Sequence, residues 1–300
     1  MSALLFATVV LCWGFTWFAV HLQVGTGVPP EVSIVWRFLA SGILLGLLLK
    51  VGGRYKRARP RDHLLFATMG ASLFCLNFLL IYTGSQYVAS GIVSVLFTLA
   101  TLFNAGNQWL VLGRRPTPRV LGGALLGVSG VALLFTEVLT STDLGPSTAL
   151  GVGLVLLGTF TFSLGNMASA RAGKAGLDVP NAAFRGMLWG TALAALIVVA
   201  RGGSFPMDWS VRYLGSLAYL VGPGTLIGFL SYLALIDRVG PDRAAYTTVL
   251  FPVVALTVST LFEGYVWTAW SLAGLPLILA GNLLIFARLP TRPRTARAAT

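Results

Sequence analysis

An all-α integral membrane protein of ten transmembrane helices, arranged as two inverted five-helix repeats, is the fold class that this sequence predicts. Three observations predict it. Of 300 residues 56% are hydrophobic and only 10% charged, with a mean hydropathy of +0.83, which excludes a soluble globular chain. The apolar residues fall into runs of about 20, the length a helix needs to cross a bilayer. The basic residues gather in every second connection between those runs.

The runs cover 2–22, 31–51, 63–82, 86–112, 119–136, 149–170, 181–200, 212–236, 244–263 and 270–287. Each is bounded by Pro, Gly, Asn or basic residues, which end helices or sit at a membrane surface. The first lacks a basic leader and a small-residue cleavage site, so it reads as a mature helix and not a signal peptide. The second enters after Pro29-Pro30 and reaches Trp36-Arg37; the third carries Asn77 at mid-helix. The fourth presents Ser90, Ser94, Thr98, Thr101, Ala105 and Gln108 at helical spacing, with Phe97 and Asn104 beside them, a polar face poorly suited to lipid. The fifth is glycine-rich, and small residues let helices approach closely in lipid. The sixth repeats the polar pattern with Thr159, Phe162, Ser163 and Asn166. The seventh enters after Pro180 and reaches Phe184-Arg185. In the eighth, Gly222-Pro223-Gly224 removes a backbone donor and softens the neighbouring turns, predicting a kink or a change of shape. The ninth ends at Glu263, and the tenth runs through Gly274 and Gly281.

There are 21 Lys and Arg against 9 Asp and Glu, a formal charge of +12. In a polar protein this would suggest nucleic acid; here it reports topology. The connections after even-numbered runs, with the tail, hold Lys50, Arg54, Lys56, Arg57, Arg59, Arg61, Arg114, Arg115, Arg119, Arg171, Lys174, Arg238, Arg243, Arg288, Arg292, Arg294 and Arg297. The other side holds Arg201 and Arg212. Cytoplasmic loops collect Lys and Arg, so both termini are expected in the cytoplasm of a multi-pass cell membrane protein, with lipid and not nucleic acid around it. Halves at 1–138 and 149–287, followed by a basic tail at 288–300, are the expected organisation. A shift of 151 residues overlays Leu121, Gly123, Gly130, Leu133 and Phe135 on Leu272, Gly274, Gly281, Leu284 and Phe286. Five helices is an odd number, so a second copy must insert upside down, an architecture recurrent in secondary transporters with the substrate site between the halves.

Trp13-Gly14-Phe15-Thr16-Trp17, Pro29-Pro30 leading to Arg37-Phe38-Leu39-Ala40, and Tyr87-Val88-Ala89-Ser90-Gly91 resemble the drug/metabolite transporter superfamily, EamA type. The second half is similar in Gly240-Pro241-Asp242-Arg243-Ala244, Phe251-Pro252-Val253, Glu263-Gly264 and the Gly274 to Gly281 helix. The resemblance spans residues 2 to about 287 and implies a transporter, like bacterial exporters of amino acids, including aromatic ones, from the inner membrane. One departure is Arg114-Arg115, where many members have a carboxylate matching Glu263.

Enzyme signatures are absent: there is no His-Glu-x-x-His, no Gly-x-Ser-x-Gly and no phosphate-binding Gly-x4-Gly-Lys. No catalytic residue, metal site or cofactor is expected. Cys12 and Cys75 lie in apolar runs as small packing residues. Candidate cavity residues are Trp13, Thr16, Trp17, Asn77, Tyr82, Ser94, Phe97, Thr98, Thr101, Phe162, Ser163, Asn166, Tyr219, Tyr232 and Tyr246. They are hydroxyls, amides and rings on helices that the inverted-repeat fold places around its centre. Arg37 either snorkels to water or pairs on the outer side with Glu31 or Glu263. The nine acidic residues all map to loops or helix ends, which leaves no midplane carboxylate to couple a proton. A monomeric carrier of small neutral or zwitterionic solutes follows. The alternatives are a non-transporting scaffold, an intramembrane enzyme, or a carrier of drugs or other metabolites.

Overall fold

The computed structural model describes residues 2–113, 115–140, 146–239, 244 and 246–286. The expected basic tail, Arg114, Asp143 and Gly240 to Arg243 lie outside the described residues. So do the side chains of Glu137 and Asp237.

The apolar runs fold as helices: α1 (Ser2–Gln23), α2 (Pro30–Val51), α3 (His63–Met69), α4 (Asn77–Gly84), α5 (Ser90–Phe97), α6 (Ala100–Leu112), α7 (Pro118–Thr140), α8 (Pro146–Lys174), α9 (Val179–Ala200), α10 (Val211–Val221), α11 (Gly228–Val239), α12 (Thr247–Phe262) and α13 (Ala269–Phe286). Seven helical stretches among the described residues are long and apolar enough to cross a membrane, and three shorter apolar ones lie at Pro118–Leu133, Thr247–Phe262 and Ala269–Ile285. Leucines such as Leu4, Leu48, Leu125 and Leu196 are exposed, which suits a lipid-facing surface.

Three details differ from the simplest reading of the runs. The fourth run does not start its helix at residue 86 and is interrupted. Residues 85–88 turn first, and after Phe97 the chain tightens, with Thr98 N donating to Val95 O and Leu99 N to Leu96 O, both at 3.1 Å. The third and eighth runs each widen into a π-helix, Gly70–Leu76 between α3 and α4 and Gly222–Ile227 between α10 and α11. In the second segment Pro223 has no N–H to give, and Thr225 Oγ1 donates instead to the Leu220 carbonyl at 2.7 Å.

Glycines set the closest helix approaches. A Cβ on Gly70 would lie 2.6 Å from the Gly190 nitrogen, so α9 runs directly against the first π segment. Between α7 and α13 the contacts run crosswise. A Cβ on Gly123 would meet the Gly281 carbonyl at 2.5 Å, and one on Gly130 the Gly274 carbonyl, also at 2.5 Å.

At one end of the bundle a polar knot clips the basic loop to the start of α9. Asp178 caps α9 by accepting from Asn181 N at 3.2 Å, Asn181 Nδ2 donates to Arg54 O at 2.9 Å, and Lys56 N donates to Asn181 Oδ1 at 3.0 Å. At the opposite end Arg201 pairs with Glu31 at 3.1 Å and Trp36 Nε1 donates to Pro206 O at 3.1 Å.

Candidate functional site: a two-chambered internal cavity

The tightening at Thr98 keeps Thr98, Thr101, Asn104, Ala105 and Gln108 on one side of α5 and α6, where they line a cavity of about 610 Å³. It reaches the surface at Arg115, Pro116 and Thr117, on the side of the basic loops. A second chamber of about 300 Å³ lies among α1, α2, α4, α9, α11 and the two π segments, bounded by Thr16, Trp17, Arg37, Phe38, Phe74, Phe78, Met187, Thr225 and Phe229. Six residues border both: Trp13, Phe97, Phe162, Asn166, Tyr232 and Phe251. Most of this collar is aromatic. The Trp13 and Tyr232 rings are 5.0 Å apart, Phe97 and Phe162 4.8 Å, and Trp17 packs 4.9 Å from Phe97 and 6.3 Å from Phe251. Asn166 Nδ2 donates to Asn104 Oδ1 at 3.2 Å across α8 and α6. Towards the opposite end, Glu263 at the end of α12 accepts from the Ser90 amide at 2.8 Å and from the Ser90 hydroxyl, joining α12 to α5.

Of the residues singled out in the sequence, Trp13, Thr16, Trp17, Phe97, Thr98, Thr101, Phe162, Asn166 and Tyr232 border these chambers. Others spend their polarity on neighbours. Ser94 donates to Gly91 O at 2.7 Å, Tyr82 to Gln23 Oε1 at 3.0 Å, and Tyr219 to Cys12 O at 3.1 Å, while Ser163 accepts from Asn107 Nδ2 at 2.8 Å. Asn77 is fully buried, and its Nδ2 turns back to Leu73 O at 3.2 Å. Tyr246 stands at the start of α12 and borders neither chamber.

The expected outer-side pairing of Arg37 is not made. Glu31 goes to Arg201 and Glu263 to Ser90, because both carboxylates sit at helix ends while Arg37 turns inward. Only 2% exposed, Arg37 donates from Nε and Nη2 to Thr225 Oγ1 at 3.4 and 3.3 Å. Its guanidinium lies over the Phe78 ring at 4.4 Å and the Phe38 ring at 5.0 Å. Snorkelling does not occur either. A charge at the bilayer centre costs roughly 2.5–3.5 kcal/mol on insertion scales, and two long hydrogen bonds and two ring faces offset part of that. Sequence reasoning also missed Thr225, Phe74, Phe78, Met187 and Phe251; all but Thr225 are apolar residues in apolar runs, and Thr225 is signalled only by its place after Pro223.

Apolar helices around a ring-lined internal cavity define a multi-pass membrane protein with a solute-sized interior. The EamA-like transporter family model matches residues 1–136 and 149–287, and the chain belongs to that family. It is 25% identical to Protein PagO of Salmonella typhimurium over 97% of this chain and 95% of that protein. To the uncharacterized inner membrane transporter YedA of Escherichia coli strain K12 it is 26% identical, over 87% of this chain and 82% of that one. A probable terminal-alkyne amino-acid exporter of Streptantibioticus cattleyicolor is 27% identical over 80% of this chain and 79% of that protein. A solved crystal structure shares the fold with a TM-score of 0.64 at 18% identity, covering 95% of this chain and 96% of that chain. The protein is thus a membrane transporter, and its relatives point away from an enzyme.

Proposed function

We propose that this transporter exports small zwitterionic metabolites, amino acids with large or aromatic side chains among them, through the ring-lined collar between the two chambers. The observation that carries the reading is the collar itself: among the described residues, five aromatic rings and one carboxamide, with no charged group, at the junction of both chambers. An apolar side chain finds rings there, and a polar group finds the Asn166 carboxamide and the Thr101 hydroxyl. The S. cattleyicolor relative, named as a probable amino-acid exporter, supports the same class.

The reading includes ten crossings in two inverted halves, both termini in the cytoplasm, a monomer, and rocking of the halves about the cavity. The crosswise glycine contacts support inversion. Under the 151-residue shift Gly123 corresponds to Gly274 and Gly130 to Gly281, and reciprocal pairing of Gly123 with Gly281 and Gly130 with Gly274 is what a two-fold relation produces. The two π segments also fall one residue from that same shift. With the larger chamber reaching Arg115 and Glu263 holding Ser90 on the other end, the described state corresponds to one open to the cytoplasm. Among the described residues Glu31, Asp62, Asp178, Asp208 and Glu263 all stand at helix ends or in loops, which favours facilitated or exchange transport over proton coupling.

Purified protein in liposomes, screened for counterflow of amino acids, sugars and drugs, tests the class. Phe162→Ala and Asn166→Ala are expected to reduce flux about tenfold or more at equal protein yield, as loss of positioning contacts does, while Leu125→Ala on the exposed face of α7 leaves it unchanged. Equal loss in all three marks the collar as packing. Sustained concentrative uptake under an imposed proton or sodium gradient overturns the uncoupled mechanism.

A further inference from the structure

Among the described residues, the smaller chamber is bordered by a cation and by no anion. Arg37 borders it, is 98% buried, and has a buried Nη1 with no hydrogen-bond partner. Trp17, bordering the same chamber, likewise leaves a buried Nε1–H unpaired. Among the described residues no carboxylate forms an ion pair with Arg37. Its other two nitrogens donate to Thr225 Oγ1 at distances long for charge-assisted bonds, and the buried Tyr82 hydroxyl beside the guanidinium is a neutral neighbour that brings no counter-charge. The Phe38 and Phe78 faces stabilise the positive charge without neutralising it. By contrast, both Nη atoms of Arg185 find acceptors, at Asn181 and at the Lys56 carbonyl.

We propose that Arg37 is the receptor for the carboxylate of the transported solute, which supplies in the bound state the counter-charge that the resting protein lacks. The guanidinium presents a planar fork that matches a carboxylate, and its unpaired Nη1 is the free prong. One guanidinium balances one negative charge. A phosphate dianion would remain half-compensated, because among the described residues Arg37 is the only charged one bordering this chamber. The rest of the wall, Phe74, Phe78, Met187 and Phe229, is apolar. The ligand class is therefore an organic monocarboxylate with an apolar body, its acid group towards Arg37 and its body towards the collar. Bound this way, the solute also lowers the cost of holding Arg37 in the membrane interior, so loading and stabilisation are linked.

This assignment rests on the amino-acid reading above for the identity of the cargo, but the site itself does not. The full chain in detergent is titrated with phenylalanine, phenylalaninamide and 3-phenylpropionate, following tryptophan fluorescence and thermal stability. Phenylalanine and 3-phenylpropionate are expected to bind at least about 30-fold more tightly than the amide, the usual scale for losing one partner of a buried charge pair. In Arg37→Gln that preference disappears. Equal binding of acid and amide by the wild type, or a preference that survives in Arg37→Gln, overturns the proposal. Should that variant fail to fold, crystals of the wild-type chain with 4-iodophenylalanine decide by the halogen's anomalous signal. A carboxylate on Arg37 Nη1 supports the site, and one placed elsewhere in the cavity removes it. Carboxylate binding at Arg37 without amino-acid flux in liposomes keeps the site and removes the exporter reading. Flux without a carboxylate preference does the reverse.

Discussion

Arg37 and Arg185 follow aromatic residues in helices that each enter after proline, and both are buried, yet their surroundings are opposite. Arg185 Nη1 donates to the Asn181 carbonyl at 3.1 Å and to Asn181 Oδ1 at 3.4 Å, and Nη2 donates to the Lys56 carbonyl. Tyr55, Phe66 and Phe184 surround its guanidinium at 5.3 to 5.6 Å. The contacts with Lys56 and Tyr55 fasten α9 to the basic loop, and Phe66 ties it to α3. Arg37 has two long bonds to the Thr225 hydroxyl, the Tyr82 hydroxyl beside it, and a chamber at its unpaired Nη1. The same aromatic-Arg pair thus anchors structure where backbone carbonyls converge, and remains free where the π segment leaves a gap. Residue type sets the charge; the neighbouring backbone decides whether that charge is used up.

The largest expected effect that sharpens this contrast is on stability. Arg185→Leu removes the guanidinium's bonds to Asn181 and to the Lys56 carbonyl and is expected to cost about 2–3 kcal/mol, read as a lowered unfolding midpoint in detergent. Arg37→Leu removes an uncompensated buried charge and is expected to leave stability unchanged or raised. Equal destabilisation by both would break the comparison. Next comes Asn181→Ala, which removes the group joining Arg54, Lys56, Asp178 and Arg185; a loss of about 1–2 kcal/mol is expected, with faster amide exchange at Lys56. The matching change on the other side, Thr225→Val, is expected to cost less, because it removes one bond to Leu220 O and two long ones to Arg37.

The smallest effect is pH-dependent. Burial pushes the Asp178 carboxyl up, but hydrogen bonds from Asn181 and the charges of Lys56 and Arg54 outweigh it, so the group sits below its ordinary carboxylate value. Its contribution is present above the unfolded carboxylate range and fades as pH falls through the lower folded value. Asp178→Asn is expected to flatten the acid side of the stability profile slightly; an unchanged profile means that the cap matters only through its geometry.

The helical runs were legible because lipid imposes length and hydropathy. Part of the cavity was legible too. Thr98, Thr101, Asn104 and Gln108 recur at helical spacing on an otherwise apolar helix, and that stripe is the chamber wall. Spacing fails for Ser94 and Ser163, which lie on the same polar stripes but border neither chamber and bond to Gly91 and Asn107. It fails again for Phe251 and Met187, whose exposure to the chamber depends on how helices cross. The π segments leave little trace, since Gly70-Ala71-Ser72 does not announce one and Gly222-Pro223-Gly224 announces only that something gives way.

The crosswise glycine pairing of α7 with α13 also sets an order of events during synthesis. The face of α7 carrying Gly123 and Gly130 fits backbone of a helix that is made only after all of α8 to α12. Until then α7 rests in the bilayer with its seam unmatched. Biogenesis of this protein therefore closes at its far end: the late arrival of α13 zips the seam, and translation arrested before residue 269 strands a helix that was inserted long before.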